Sequence, residues 1–210
     1  MVMFPFFVKL EGRPCLLVGA GRVGEGKLRG LLRAGARVKV VAPQATARVQ
    51  RLANSAKIVW RKRKFTARDL HGMFLVVAAT SSHAVNAVIF REARRHGVLC
   101  NAVDDPSACD FYYPAVVDRG SLQIAISTGG SSPELASRLR KQLESHFGPE
   151  YGPWVDHLGR QRGDLLRTPI PSAQRRRLLR DLASPHAFRQ FLRKDYRRKK
   201  QASGLPQETR

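Results

Sequence analysis

The stretch "PCLLVGAGRVGEGKLRGLLRAGA", residues 14–36, decides the fold class of this 210-residue chain. Residues 14–18 form a short apolar run, which predicts a buried strand, and a glycine-rich tight turn follows directly. Leucines at near-helical spacing then predict a helix that closes at Gly35. We therefore predict a strand, a tight turn and a helix in direct succession.

The alternation of strand and helix continues beyond this stretch. Further strands are predicted in residues 37–43, 57–65, 73–81 and 98–105. A helix is predicted over residues 82–97, with Ser82 as N-cap and Gly97 as C-cap. The strands are apolar along their whole length, which is typical of a parallel sheet covered by helices on both faces. The predicted fold class is therefore α/β, with a Rossmann-type parallel sheet.

The pattern changes after Asp110. Two strands around a turn at residues 118–120 precede a loop and a long helix, for which Ser132 is the predicted N-cap and Pro133 the first residue. The remaining sequence is Arg-rich and helical in pattern, and residues 197–210 are predicted to form a frayed tail. The predicted domains are a Rossmann domain at 1–113, a small α+β segment at 114–149 and a basic helical region at 150–210.

Charge is the most unusual global property of the chain. Lys and Arg number 38 against 16 Asp and Glu, a formal net charge of +22. This excess favours a polyanionic partner, either nucleic acid or a small molecule with many carboxylates or phosphates. A basic solvated surface without a specific partner is the alternative.

Composition also bears on location and metal content. No run of about 18 apolar residues is present, so we expect no membrane span, and the opening "MVMFPFFVKL" is interpreted as an arm or edge strand, not a signal peptide. The three cysteines show no CxxC spacing, which favours a reduced cytoplasm over a disulfide framework. The six histidines lack metal-ligand spacing, so no permanent metal site is expected.

The segment Gly19-Ala20-Gly21-Arg22-Val23-Gly24 fits the G-x-G-x-x-G pattern between a strand and a helix, which predicts dinucleotide binding. A merely tight turn is the alternative. No acid ends the second strand to hold the ribose 2′-OH and no Arg stands immediately there, although Arg48 is close, so NAD and NADP are not separated by this position. The predicted cofactor-binding residues are Gly19, Gly21, Arg22, Val23, Gly24, Pro43, Gln44 and Thr80.

Several segments together resemble one family. "LLVGAGRVGEGKLRGLLRAGARVKVVAP", "LVVAATSSHAVN" and "CNAVDDPSACDFYYPAVVDRGSLQIAISTGGSSPELASRLRKQLE" are similar to the precorrin-2 dehydrogenase/sirohydrochlorin ferrochelatase family. This family forms the N-terminal module of siroheme synthase and also occurs as free-standing proteins. The resemblance covers roughly residues 1–150, and beyond them only the helical, basic character agrees.

The resemblance implies two reactions. Oxidation of precorrin-2, a tetrapyrrole with many carboxylates, delivers a hydride to NAD, and insertion of Fe(II), as a substrate, follows. Some members only dehydrogenate, and the sequence does not separate the two cases. The resemblance also implies a homodimer built through residues 114–149 and a basic C-terminal region that covers the tetrapyrrole.

The resemblance further implies roles for two motifs. An essential aspartate of the family falls at Asp104, which would be the general base of both steps; Asp105 is the weaker candidate. The alternative is that Asp104 only caps the turn before Pro106. In "STGGSSP", a substrate carboxylate would rest on the loop before the capped helix, with a helix-capping loop as the alternative. This predicted substrate site comprises Ser127, Thr128, Gly129 and Gly130, and Thr128 stands where some members carry a phosphorylated serine.

Two rivals come from other classes of protein. A nucleic-acid-binding protein on a Rossmann core would explain the charge, but the sequence lacks aromatic-interleaved basic motifs and a clear helix-turn-helix. An NAD-sensing regulator without chemistry would explain the glycine loop. Neither accounts for "NAVDDP" and "ISTGGSSP" together, so nucleic acid is not the expected partner.

Overall fold

The structure of the protein is a computed structural model that describes residues 3–202, with side chains through residue 194. The chain forms two compact units, Met1–Tyr113 and Pro114–Arg210, and each is described by itself. The further division predicted at residues 149/150 stays a prediction. No helix within the described residues is both long and apolar enough to cross a membrane.

The first unit is a parallel sheet with helices on both faces. Its elements are β1 (Pro14–Ala20), α1 (Arg22–Arg33), β2 (Arg37–Ala45), α2 (Ala47–Asn54), β3 (Val59–Arg61), β4 (Leu75–Ala78), α3 (His83–Arg95) and β5 (Leu99–Ala102). The strand order is β3-β2-β1-β4-β5, and every pairing is parallel. The predicted α/β fold class is confirmed.

Both faces of this sheet are buried. Leu17 of β1 belongs to one apolar cluster, together with Leu28 of α1 and Val49 of α2. Its neighbour Leu16 belongs to a second cluster that includes Ile89 of α3. Successive residues of a strand point to opposite faces, so uniformly apolar strands supply both clusters.

Several predicted boundaries in this unit differ from the structure. The predicted third strand, residues 57–65, is only the edge strand β3, because its charged continuation turns away toward a 3-10 helix at Ala67–Leu70. Helix α2 was not predicted; its N-cap Thr46 accepts a hydrogen bond from the Val49 amide. Ser82 is confirmed as the N-cap of α3.

The predicted helix ends are each off by one position. Helix α1 has Ala34 as its C-cap, and Gly35 follows it with a φ of +77°. Helix α3 has His96 as its C-cap, and Gly97 follows with a φ of +65°. The left-handed glycine comes just after the cap, which is the usual position of glycine at a helix end.

The second unit joins a two-stranded antiparallel sheet to four helices. Its elements are β6 (Ala115–Arg119), β7 (Leu122–Ile126), α4 (Pro133–His146), α5 (Tyr151–Arg167), α6 (Ser172–Leu182) and α7 (Pro185–Ala202). Ser132 caps α4 by accepting from the Leu135 amide, and Pro133 is its first residue, as predicted. The predicted frayed tail is wrong for residues 197–202, which continue α7; its remainder, residues 203–210, lies outside the described residues.

Aromatic rings and arginines hold this unit together. The buried Trp154 of α5 packs against Phe188 and Phe191 of α7. Arg119 donates to the Phe147 and Glu144 carbonyls at the end of α4. Arg175 of α6 likewise donates to three carbonyls at and after the end of α5, those of Leu165, Thr168 and Ile170. Guanidinium groups thereby satisfy the unpaired carbonyls that every helix end leaves.

Candidate active site

A cavity of about 1000 Å³ opens at the carboxyl ends of the strands in the first unit. Ligands of parallel α/β sheets bind at this edge. Eight residues predicted from the sequence line it, namely Gly19, Gly21, Arg22, Val23, Pro43, Gln44, Thr80 and Asp104. Gly24, the remaining predicted cofactor residue, lies buried beneath the loop and does not line the cavity.

The glycines of the loop serve different purposes. Gly19 has a φ of +96°, and a Cβ there would overlap the backbone carbonyl of Ala79. A Cβ on Gly24 would overlap the carbonyl oxygen of Gly19. A Cβ on Gly21 would meet no atom within 4 Å. The first and third glycines are thus required by packing, while the second faces open space, which fits close approach of a pyrophosphate to the helix N-terminus.

Thr80 is fixed by a residue that sequence reasoning missed. Asn86 of α3 is buried, and its Oδ1 accepts a 2.7 Å hydrogen bond from the Thr80 hydroxyl and a 3.3 Å bond from the Thr80 amide. Asn86 Nδ2 donates back to the Thr80 carbonyl at 3.3 Å. The available signal was a polar residue on the otherwise apolar face of α3, because buried amides require partners.

Arg48 is close in sequence to the end of β2, where a 2′-phosphate would bind, but its side chain lies near a different group. Glu25 accepts a 2.7 Å hydrogen bond from the Thr46 hydroxyl and lies 3.9 Å from Arg48 Nε. Arg48 does not line the cavity. Lys64, which the sequence did not single out as a site residue, does line it, together with Phe65.

Asp104 and Asp105 take separate roles. Asp105 accepts hydrogen bonds from the Ser107 amide at 3.1 Å and the Ser107 hydroxyl at 2.6 Å, and it caps the 3-10 helix Pro106–Ala108. The Ser107 hydroxyl is the main reason that the pKa of Asp105 is lowered. Asp104 is exposed, lines the cavity and makes no hydrogen bond through its carboxylate within the described residues. The capping function considered for Asp104 therefore belongs to Asp105.

Asp104 also has an unusual backbone. Its φ of +63° lies in the left-handed region, which Asp tolerates better than most residues. Such conformations cost free energy and often mark functional sites. The conformation presents a carboxylate at the cavity, beyond the end of β5.

Lys27 of α1 is a further residue that the sequence did not reveal. Partial burial lowers the pKa of Lys27, an effect opposed first of all by the negative charge of Asp104. Its Nζ lies 3.6 Å from the centre of the Tyr113 ring, a cation–π contact. Lys27 thus places a positive charge within electrostatic range of Asp104.

The second predicted motif lies in the second unit. The Thr128 hydroxyl donates to the Ser132 carbonyl and accepts from the Ser132 amide, both at 3.1 Å. Ser127 accepts from the amide of Gly129, and Gly129 and Gly130 both have positive φ. These bonds stabilise the loop before α4, and the predicted binding of a substrate carboxylate by this loop stays a prediction.

No group of three or more His, Cys, Asp or Glu side chains in the described part of the chain is placed to hold a metal ion. The three cysteines are free thiols. Burial raises the pKa of Cys15 to about 11 and that of Cys100 to about 12, so neither is a thiolate at neutral pH.

The fold and the glycine loop define a dinucleotide-binding domain of the Rossmann class. Residues 6–115 match the family model described as putative NAD(P)-binding, and the chain belongs to that family. Residues 119–146 match a second model, described as the central part of a sirohaem biosynthesis protein.

Individual relatives agree with both models. The chain is 43% identical over 180 residues to a siroheme synthase of Methylococcus capsulatus, covering 84% of this chain and 37% of that protein. It is 38% identical over 192 residues to a siroheme synthase of Actinobacillus pleuropneumoniae, covering 91% and 39%. The chain therefore spans well under half the length of these relatives. The resemblance to the siroheme synthase N-terminal module is confirmed.

Among solved structures, the protein is similar to one titled "SirC, precorrin-2 dehydrogenase". The TM-score is 0.77 and the sequence identity 28%, and the match covers 91% of this chain and 98% of that one. The match therefore extends over nearly the whole of that solved chain.

Proposed function

We propose that the protein oxidises precorrin-2 to sirohydrochlorin with NAD and then inserts Fe(II), its second substrate, to form siroheme. The observation that carries the proposal is the Asp104 carboxylate, which has no hydrogen-bond partner within the described residues, at the cavity that the glycine loop also lines. The names of its relatives, siroheme synthase and precorrin-2 dehydrogenase, supply the substrate class.

The cavity residues fit the cofactor. The N-terminus of α1 at Gly21 and Arg22 would hold the pyrophosphate, and Pro43 and Gln44 would bracket the adenosine ribose. Thr80, locked by Asn86, would border the nicotinamide end. When bound, NAD supplies the acceptor for the hydride that leaves the tetrapyrrole.

Asp104 is the residue that we assign to proton transfer. Dehydrogenation removes a hydride and a proton from precorrin-2, and a carboxylate in reach of the substrate accepts the proton. Asp104 has both oxygens available for this, whereas Oδ1 of Asp105 is used in capping. Lys27, which interacts electrostatically with Asp104, is assigned as its positioning residue.

Iron insertion requires the same kind of group. Two pyrrole N–H protons must leave as the metal enters, and Asp104 would accept them in turn. Fe(II) passes through such a site as a substrate, so transient contact with the protein suffices.

The proposal includes partners and location. The net charge of +22 suits a substrate with many carboxylates, and the loop Ser127–Gly130 would offer backbone amides to one of them. Within the described chain β6 pairs only with β7, so each strand has an edge free for a second copy in a homodimer. Three free thiols fit a reduced cytoplasm.

The test compares Asp104→Asn with the neighbouring Asp105→Asn. Precorrin-2 generated in situ is supplied with NAD and then Fe(II), and absorbance follows sirohydrochlorin and siroheme. We expect Asp104→Asn to lower both rates by about 100-fold to 10,000-fold, the usual contribution of a general base, while NAD still binds. Asp105→Asn should keep both rates within a few-fold and leave the Tm nearly unchanged, because asparagine retains the capping Oδ1 and is as good an N-cap as aspartate.

The outcomes separate the two reactions. Oxidation without accelerated iron insertion in the wild type would leave a dehydrogenase alone. Equal losses of rate in the two variants would show that Asp104 has no specific role. Absence of precorrin-2 oxidation by the wild type would overturn the proposed function.

A further inference from the structure

We propose that the cavity contains a subsite for the 2′-phosphate of NADP, formed by Lys64, so that the protein accepts NADP as well as NAD. The subsite would lie at the Pro43–Gln44 end of the cavity. This inference rests on the dinucleotide site of the proposed function, but not on the identity of the oxidised substrate.

The topology places Lys64 at the ribose end of the cavity. In this fold class the adenosine ribose lies at the carboxyl end of the second strand. β3 pairs with β2 through Arg61 and Val41, so Lys64, three residues beyond Arg61, follows the carboxyl end of the strand beside β2. Lys64 lines the same cavity as Pro43 and Gln44.

Among the described residues, no carboxylate lines the cavity at the end of β2. A dinucleotide domain selects NAD with an acid at the end of the second strand, which binds the 2′-OH and repels a 2′-phosphate. Here that strand passes through Val41-Ala42-Pro43-Gln44. Asp104 is the sole acid among the cavity-lining residues described, and it follows β5. Four strand spacings of about 4.8 Å, roughly 19 Å, separate β5 from β3.

The charged residues beside Lys64 do not pair with its side chain. Arg63 binds Asp69 through Nη1 at 2.8 Å and Nη2 at 2.7 Å, and its Nη1 also donates to the Lys64 carbonyl at 3.0 Å. These bonds anchor the backbone of Lys64, while its side chain forms no ion pair within residues 3–194. Arg48 is held near Glu25 and does not line the cavity.

The test is calorimetric binding of NAD and NADP to the full chain, at fixed ionic strength and without phosphate. We expect the wild type to bind NADP with a Kd within about tenfold of that for NAD. Lys64→Ala should raise the Kd for NADP about tenfold more than the Kd for NAD, because one charge-assisted contact to phosphate is lost. Lys62→Ala, an equally exposed lysine of the same loop outside the cavity, should leave the ratio unchanged.

The inference fails if Lys64→Ala shifts both affinities equally, if Lys62→Ala shifts their ratio as much, or if the wild type binds NADP more than about a hundredfold more weakly than NAD. It is separable from the proposed function. Lys64-dependent NADP binding without oxidation of precorrin-2 would support the subsite and contradict the proposed reaction. Oxidation with NAD together with Lys64-independent NADP binding would do the reverse.

Discussion

The two units bury very different numbers of apolar side chains. Among the residues whose burial is described, 25 of the 28 buried apolar side chains lie in the first unit. The second unit contributes Val117, Ala136 and Trp154. The first unit is therefore fixed by a core of its own, while the second depends on aromatic contacts and arginine–carbonyl hydrogen bonds, so an equivalent change should cost more in the first unit.

Their glycine loops differ in the same way. Both loops precede a helix and both use positive φ. A Cβ on Gly19 would overlap the backbone of Ala79, whereas a Cβ on Gly129 would meet no atom within 4 Å. The first loop is determined by packing, and the second by its own conformation and by the hydrogen bonds of Thr128.

The largest effect is expected from alanine at these glycines. Gly19→Ala should lower the free energy of unfolding by about 3 kcal/mol, because it adds a backbone overlap to the strain of a left-handed alanine. Gly129→Ala should lower it by about 1 kcal/mol, the cost of the conformation alone. Urea unfolding followed by circular dichroism measures both changes. Equal losses would contradict the contrast between the loops.

A smaller effect is expected from the carboxylates. Asp69 in the first unit is buried and accepts hydrogen bonds from Arg63 and from the amide and hydroxyl of Thr66. Asp164 in the second unit is exposed and pairs with Arg167 at 2.7 Å. Asp69→Asn should lower the free energy of unfolding by about 2 kcal/mol, since charge-assisted bonds are lost. Asp164→Asn should change it by about 0.5 kcal/mol or less.

The pH dependence of the free energy of unfolding tests whether the effect of Asp69→Asn comes from the lost charge. Burial raises the pKa of Asp69, but the hydrogen bonds from Arg63 and Thr66 outweigh it and hold the pKa below its ordinary value. A carboxyl with a lower pKa in the folded state stabilises the fold above its unfolded pKa of about 4, and this stabilisation is lost as the pH falls through the folded value. The difference between wild type and Asp69→Asn should therefore be constant near neutral pH and shrink below about pH 4. A difference that persists at pH 2 would indicate a loss of packing instead.

Sequence patterns predicted the sheet correctly because its strands are buried on both faces. Uniformly apolar strands identified the parallel sheet, and Ser82 and Ser132 were correct as N-caps because their side chains bind nearby amides. Helix α2 was missed, since its eight residues bury only Val49 and leave little periodicity to detect. The length of β3 was also wrong, because the pairing of Arg63 with Asp69 is a tertiary contact that the sequence does not display.

Prediction of the candidate site had a similar limit. The glycine motif was found because it follows a predicted strand directly, and Asp104 was identified because the family resemblance implied it. Asn86, Lys27 and Lys64 were missed, because the fold, and not a motif, brings them to the cavity or to Asp104. The separate roles of Asp104 and Asp105 required the hydrogen bonds of Ser107.

A small change in stability is expected at Gly21, the glycine of the first loop that packing does not require. Gly21 has a φ of −75°, which alanine adopts, and a Cβ there meets open space, so Gly21→Ala should change the free energy of unfolding by about 0.5 kcal/mol or less. The new methyl group would occupy the space needed by the pyrophosphate, so the Kd for NAD should rise about tenfold or more. Gly26→Ala, four residues inside the helix bounds of α1 and also free of overlap, should stabilise the fold by about 0.5–1 kcal/mol and leave the Kd for NAD unchanged. If Gly21→Ala bound NAD as tightly as the wild type, the pyrophosphate would not lie on this loop, and the glycine pattern would be a tight turn only.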